Sequence, residues 1–171
     1  CNPCVAWPYV NLANCLLYAL FGGKHPLTGA TDTFAADVGL QGTPLPPSWW
    51  AALEHLVEHE PQTYEELKAA FWRVLGHAAT GAIFKCNHDQ YLEALHRPFP
   101  LLSCFIEGCI ESGRDISHGG ALYNFIQPEA VGTSNVVDSL AAVRTLTEAG
   151  YSLDDFRAAI RANWEGYEQM R

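Results

Sequence analysis

The residues of this 171-residue chain best suited to chemistry are its cysteines, and the densest group is Cys1-Asn2-Pro3-Cys4. Two kinds of chemistry fit that spacing. A Cys1 thiol beside its own α-amine has the parts of an N-terminal nucleophile hydrolase, in which the amine serves as base. Cys1 and Cys4, with Cys15 or His25, could instead hold zinc or an iron-sulfur cluster. The hydrolase needs two facing antiparallel sheets, whereas the chain reads as helices with one convincing strand. The metal module rests on a lone CxxC with no second pair, and Cys15 sits on an apolar helix stripe. His55 and His59 have a spacing that one helix face could share, yet Glu58 and Glu60 beside them point to a wetted surface.

The elements that must position such groups are clearest between Pro100 and Leu146. Leu101, Leu102, Phe105, Ile106, Cys109 and Ile110 recur at helical spacing, and Gly113 stands where a left-handed cap would end that helix. Ser117-His118-Gly119-Gly120 follows, a turn whose glycines permit positive φ, and Ala121–Ile126 reads as a buried strand stopped by Pro128. Ser134 or Asn135 then caps a helix with Val136, Leu140, Val143 and Leu146 inward, Asp138 in its first turn and Arg144 in its last.

Upstream, Leu12, Cys15, Leu16, Ala19 and Leu20 form a helix closed by Gly22-Gly23. After the joint at Thr43–Pro47, Ser48 caps a short segment carrying Trp49, Trp50, Leu53, Leu56 and Val57. Thr63 with Glu66 forms a capping box ahead of Tyr64, Leu67, Phe71, Val74 and Leu75. A further helix is expected over Ile83–Leu95, and a last one begins at Ser152 with Asp155 and buries Leu153, Phe156, Ile160 and Trp164.

The order of these motifs resembles the glycyl radical enzymes, the pyruvate formate-lyase-like family of dehydratases, lyases and decarboxylases. The residues that carry the likeness are Cys109-Ile110-Glu111, Gly113, Asp115, Gly119-Gly120-Ala121, Tyr123-Asn124-Phe125 and Val137-Asp138-Ser139-Leu140-Ala141-Ala142. Weaker echoes are Asn11-Leu12-Ala13, Gly22-Gly23, Pro26–Gly29, Thr63–Leu67 and Asn163–Tyr167. The resemblance implies a partial domain over 1–171, a fragment of a ten-stranded α/β barrel, with a divergent loop or insertion at about 30–61. Family members are several times longer, so a fragment of a larger enzyme is expected.

By that likeness the parent uses a cysteine thiyl radical to take hydrogen from a small organic substrate, then eliminates, decarboxylates or cleaves a C–C bond. Cys1 or Cys4 is the thiyl candidate within the chain, unless the cysteine lies before residue 1. Trp7, Tyr9, Tyr123 and Asn124 are expected to line the substrate pocket. No cofactor is expected to be bound and no metal held; the resemblance implies a glycyl radical installed by an S-adenosylmethionine, iron-sulfur activating enzyme. Partners would be that activating enzyme, the rest of the barrel and, by the same likeness, a second copy in a homodimer. The match is incomplete. Cys1 is followed by Asn2-Pro3 and Cys4 by Val5-Ala6, where many members have Cys-x-Glu. Cys109-Ile110-Glu111 has that spelling, but on a helix stripe, and is assigned to packing. The Arg-Val-x-Gly-Tyr loop of the stored radical is missing, and Gly166-Tyr167 reads as a helix or cap position.

Charge narrows the partners. With 10 basic and 19 acidic residues the net charge is −9, unsuited to nucleic acid or an anionic membrane, which need clustered Lys and Arg. No apolar run approaches the ~20 residues that span a bilayer, and no basic flank precedes a long apolar core. Six scattered cysteines, with Cys15, Cys104 and Cys109 on apolar helix faces, read as reduced, cytosolic thiols, and the family resemblance implies an anaerobic cytoplasm. Detached from its barrel, such a piece would expose apolar helix faces such as that of Trp49 and Trp50.

Overall fold

A computed structural model describes residues 9–125 and 128–171. Its elements run β1 (Tyr9–Asn11), α1 (Leu12–Leu20), α2 (Phe34–Asp37), α3 (Pro47–Ala51), α4 (Leu53–Leu56), α5 (Tyr64–His96), α6 (Pro100–Ser103), α7 (Cys109–Ser112), β2 (Glu129–Val131), α8 (Thr133–Glu148) and α9 (Leu153–Arg161). Short 3-10 turns lie at Ile116–His118 and Glu168–Met170. β1 and β2 pair in parallel, with Tyr9 opposite Glu129, Val10 opposite Ala130 and Asn11 opposite Val131. Each strand runs straight into a helix, and a long helical crossover joins them, as a parallel pair requires. The fold is α/β and helix-rich, with a two-stranded parallel sheet among the described residues.

Helix α1 forms where its stripe predicts. The Asn11 carboxamide oxygen caps it by accepting from Asn14 N at 3.2 Å, and Leu12, Cys15, Leu16, Ala19 and Leu20 are buried. Gly22 and Gly23, at φ +63° and +81°, then turn the chain out.

Helix α5 departs from the two shorter helices expected, since it is one helix of 33 residues. Thr63 caps it by accepting from Glu66 N at 3.2 Å, and the Glu66 carboxylate reaches back to Gln62 N at 2.8 Å. Gly81 does not break it because a neighbour needs the space: a Cβ there would lie 2.7 Å from the Trp50 ring. Its N-terminal half buries Leu67, Ala70, Phe71, Val74 and Ala78.

The stretch expected to diverge is packed into the same core. Phe34, Val38, Leu40, Trp50, Leu53 and Val57 are all buried in the cluster that holds α1 and α5; a side chain such as Leu40 contributes about 2 kcal/mol there. The Trp49–Trp50 face is thus covered rather than exposed. Trp50 is buried, and Trp49 stacks on His77 with centroids 4.8 Å apart. Ser48 is not a cap, because α3 already starts at Pro47 behind Pro46.

The C-terminal helices close this core. Helix α8 buries Val136 and Val143 as expected, but neither Ser134 nor Asn135 caps it. Gly132, at φ +83°, turns the chain from β2 directly into Thr133. That early start leaves Asp138 beyond the first turn and Arg144 short of the last, where it pairs with Glu148 at 3.0 Å. Ser152 and Asp155 form the expected box on α9, with Asp155 N donating to the Ser152 hydroxyl at 3.2 Å and Ser152 N to the Asp155 carboxylate at 2.7 Å.

Arg157 of α9 is 1% exposed and ties three parts of the chain together. It donates to Leu20 O at 3.1 Å and Pro61 O at 2.9 Å, and pairs with Asp154 at 2.6 Å and Glu60 at 3.3 Å.

Candidate functional site

Tyr9 opens β1. Val10 is 5% exposed and faces the core, so strand alternation sends Tyr9 and Asn11 to the opposite side. There the chain at Val38–Gly39 comes up against them. Asn11 N donates to Val38 O at 3.0 Å, and Gly39, at φ +87°, lies so close that a Cβ would be 2.7 Å from both the Tyr9 ring and the Tyr9 carbonyl oxygen. The approach is anchored on α1. Tyr18 donates to Asp37 at 2.6 Å and lies 2.7 Å from the Thr33 hydroxyl, while the Asn14 amide donates to Asp37 O. Burial foremost, then Asp37, push the Tyr18 phenol well above its ordinary value, so it remains a donor.

The glycine block is built differently from the helix and strand expected. The helix over 101–113 splits, because Gly108 turns left-handed at φ +96° and the returning chain passes over it, with Leu122 N donating to Glu107 O at 2.8 Å. Leu101, Phe105 and Ile110, expected inward, are 75%, 78% and 68% exposed. Gly113 does take the left-handed cap, at φ +63°. Cys109 packs with Ile116 and Ala121 in a small second cluster, and Glu111 accepts from Gly108 N at 3.0 Å, so this Cys-x-Glu is structural.

Residues 121–125 are not a strand. The strand lies beyond Pro128, at Glu129–Val131, where β1 offers a partner. Instead the 121–125 segment leaves the block as a loop whose start is fixed by backbone crossings. A Cβ on Gly120 would lie 2.1 Å from Arg114 O.

Asp115 holds the block together. One carboxylate oxygen accepts from Phe99 N at 2.9 Å and the Ser103 hydroxyl at 2.9 Å, the other from Ser117 N at 2.9 Å and the Ser117 hydroxyl at 2.6 Å. Desolvation alone would raise its pKa, but these hydrogen bonds, Ser117's first, outweigh it and hold the carboxyl below its usual range. From this base the loop presents Tyr123 and Phe125, 56% and 60% exposed, with rings stacked at 6.1 Å. Asn124 is also exposed.

A family model described as pyruvate formate lyase-like matches residues 4–171. The crystal structure of a glycyl radical enzyme from Archaeoglobus fulgidus superposes with a TM-score of 0.67 at 32% identity, covering 94% of this chain and 18% of that one. The chain belongs to the pyruvate formate lyase-like family, the glycyl radical enzymes. Two curated relatives add detail. The trans-4-hydroxy-L-proline dehydratase of Clostridioides difficile is 36% identical over 111 residues, 64% of this chain and 14% of that protein. The (2S)-3-sulfopropanediol dehydratase of Klebsiella oxytoca is 38% identical over 90 residues, 50% of this chain and 11% of that protein. The chain thus spans between 11% and 18% of these relatives' lengths.

Of the pocket and radical residues that the glycyl radical enzyme likeness suggested, Cys1, Cys4 and Trp7 lie outside the described residues. Tyr9, Tyr123 and Asn124 are described, and each reaches solvent. Gly166 does not fit the radical-bearing glycine of the family. It sits at φ +81° in a turn beyond α9, where a helix or cap position was expected, and Asn163-Trp164 stands in the place of Arg-Val.

Nor do the described residues support a metal module. Cys15 is 0% exposed and packed in the apolar core, where burial pushes its thiol up to about 12. Helix α4 ends at Leu56, so His55 and His59 do not share a helix face, and no group of three or more His, Cys, Asp or Glu is placed to hold an ion among the described residues. Sequence reasoning had given no separate role to Asp115 or Gly39. Asp115-Ile116-Ser117 carries a readable signal, the Asp-x-Ser pattern in which a carboxylate caps the backbone two residues on. Gly39 carries none.

Proposed function

We propose that this chain is a wall of the catalytic barrel of a glycyl radical enzyme, and that the parent takes a hydrogen atom from a small organic substrate through a cysteine thiyl. The observation that carries this reading is the parallel register of β1 and β2. Parallel strands are entered from the same end. Tyr9 and Glu129, the first residues of the two strands, therefore lie at the same end of the sheet; in sequence, Cys1 and Cys4 precede the one, and Tyr123-Asn124 the other. Cys1 or Cys4 is assigned the thiyl role, with Trp7, Tyr9, Tyr123 and Asn124 around the substrate.

A sulfur radical suits the step because S–H and C–H bonds are close in strength. The thiyl takes a hydrogen atom to give S–H and a substrate carbon radical, and the same atom can be returned to the product. Two relatives are named as dehydratases, which favours loss of water from a hydroxylated substrate over decarboxylation or C–C cleavage. Neither Cys1 nor Cys4 has a Glu two residues on, so the base for that step would come from another part of the parent. By the same likeness, the parent's glycyl radical is installed by a separate S-adenosylmethionine, iron-sulfur enzyme in an anaerobic cytoplasm.

The test is the complete polypeptide, activated anaerobically, with Cys1→Ala and Cys4→Ala made singly. One of the two variants should keep the glycyl radical signal in electron paramagnetic resonance yet lose turnover by about a thousandfold or more, the scale of removing a group that reacts covalently. Wild-type turnover in both would overturn the assignment.

A further inference from the structure

We draw no further inference here: the strongest candidate, the open apolar cavity of about 470 Å³ between α1, α8 and α9 with the left-handed Trp164 in its wall, carries nothing, because no feature of the structure shows what covers it.

Discussion

Two regions of the molecule are held together in opposite ways. The larger, made of α1, the 31–61 segment, the first half of α5, α8 and α9, closes around one apolar cluster with Arg157 as its polar clamp. The smaller, from Phe99 to Phe125, has a cluster of only Cys109, Ile116 and Ala121. It depends on the Asp115 hydrogen bonds and on glycines where backbones cross. The first buries most of its large apolar side chains, though Trp72 and Val137 are exposed; the second turns Leu101, Phe105, Ile110, Tyr123 and Phe125 outward. Burial makes a support, whereas a scaffold of polar bonds and bare backbone leaves side chains at the surface.

That contrast can be broken from either side. Arg157→Leu should destabilise the larger region most, by about 4 kcal/mol, because Leu20 O and Pro61 O lose their buried donor and two carboxylates lose their partner; denaturant unfolding would show it. Gly120→Ala should cost about 2 kcal/mol through its collision with Arg114 O. Its effect should stay local, with faster amide exchange over 113–125 and unchanged exchange in α1.

Acid should separate the two regions further. Asp115 is held below its usual pKa, so its contribution is present above the unfolded value of about 3.9 and is lost as pH falls through the lower folded one. His77 is also lowered, by burial first, with a hydrogen bond to the Trp49 backbone opposing. The unfolded state then binds the proton more readily, and stability falls as pH drops below about 6.5. On acidification the core around α5 should therefore weaken first. His77→Phe should flatten that part of the profile, read by denaturant unfolding across that pH range. The smallest change is a gain: Gly76 lies inside α5 with nothing near its missing side chain, and Gly76→Ala should stabilise by about 0.5–1 kcal/mol in the same unfolding assay.

The larger region was the more legible in sequence, for the same physical reason. Stripes such as Leu12, Cys15, Leu16 and Ala19, and caps such as Thr63 and Ser152, are local signals that burial reinforces. In the smaller region the decisive contacts are not written in periodicity. The apolar spacing from Leu101 to Ile110 looks helical, but Gly108 breaks it because Leu122 returns across it. The strand falls at Glu129–Val131 because β1, far away in sequence, selects it. Likewise nothing local marks Gly81 as the place where the Trp50 ring packs against α5. At the candidate site, Tyr9, Tyr123 and Asn124 were legible only by likeness to a family, and Gly39 was not legible at all, since a close approach leaves no spacing pattern.

The unbroken helix α5 has a mechanical consequence. At 33 residues it is about 50 Å long, packed on α1 and β1 and also touching the 3-10 turn at Ile116–His118 in the glycine block. A tilt of about 5° at one end of such a rod carries the other about 4 Å, enough to displace a ring from a ligand. Errors of alignment at the Thr63 end would be amplified at the far tip, and the stiffness of this strut decides whether two distant walls of a cavity keep their spacing.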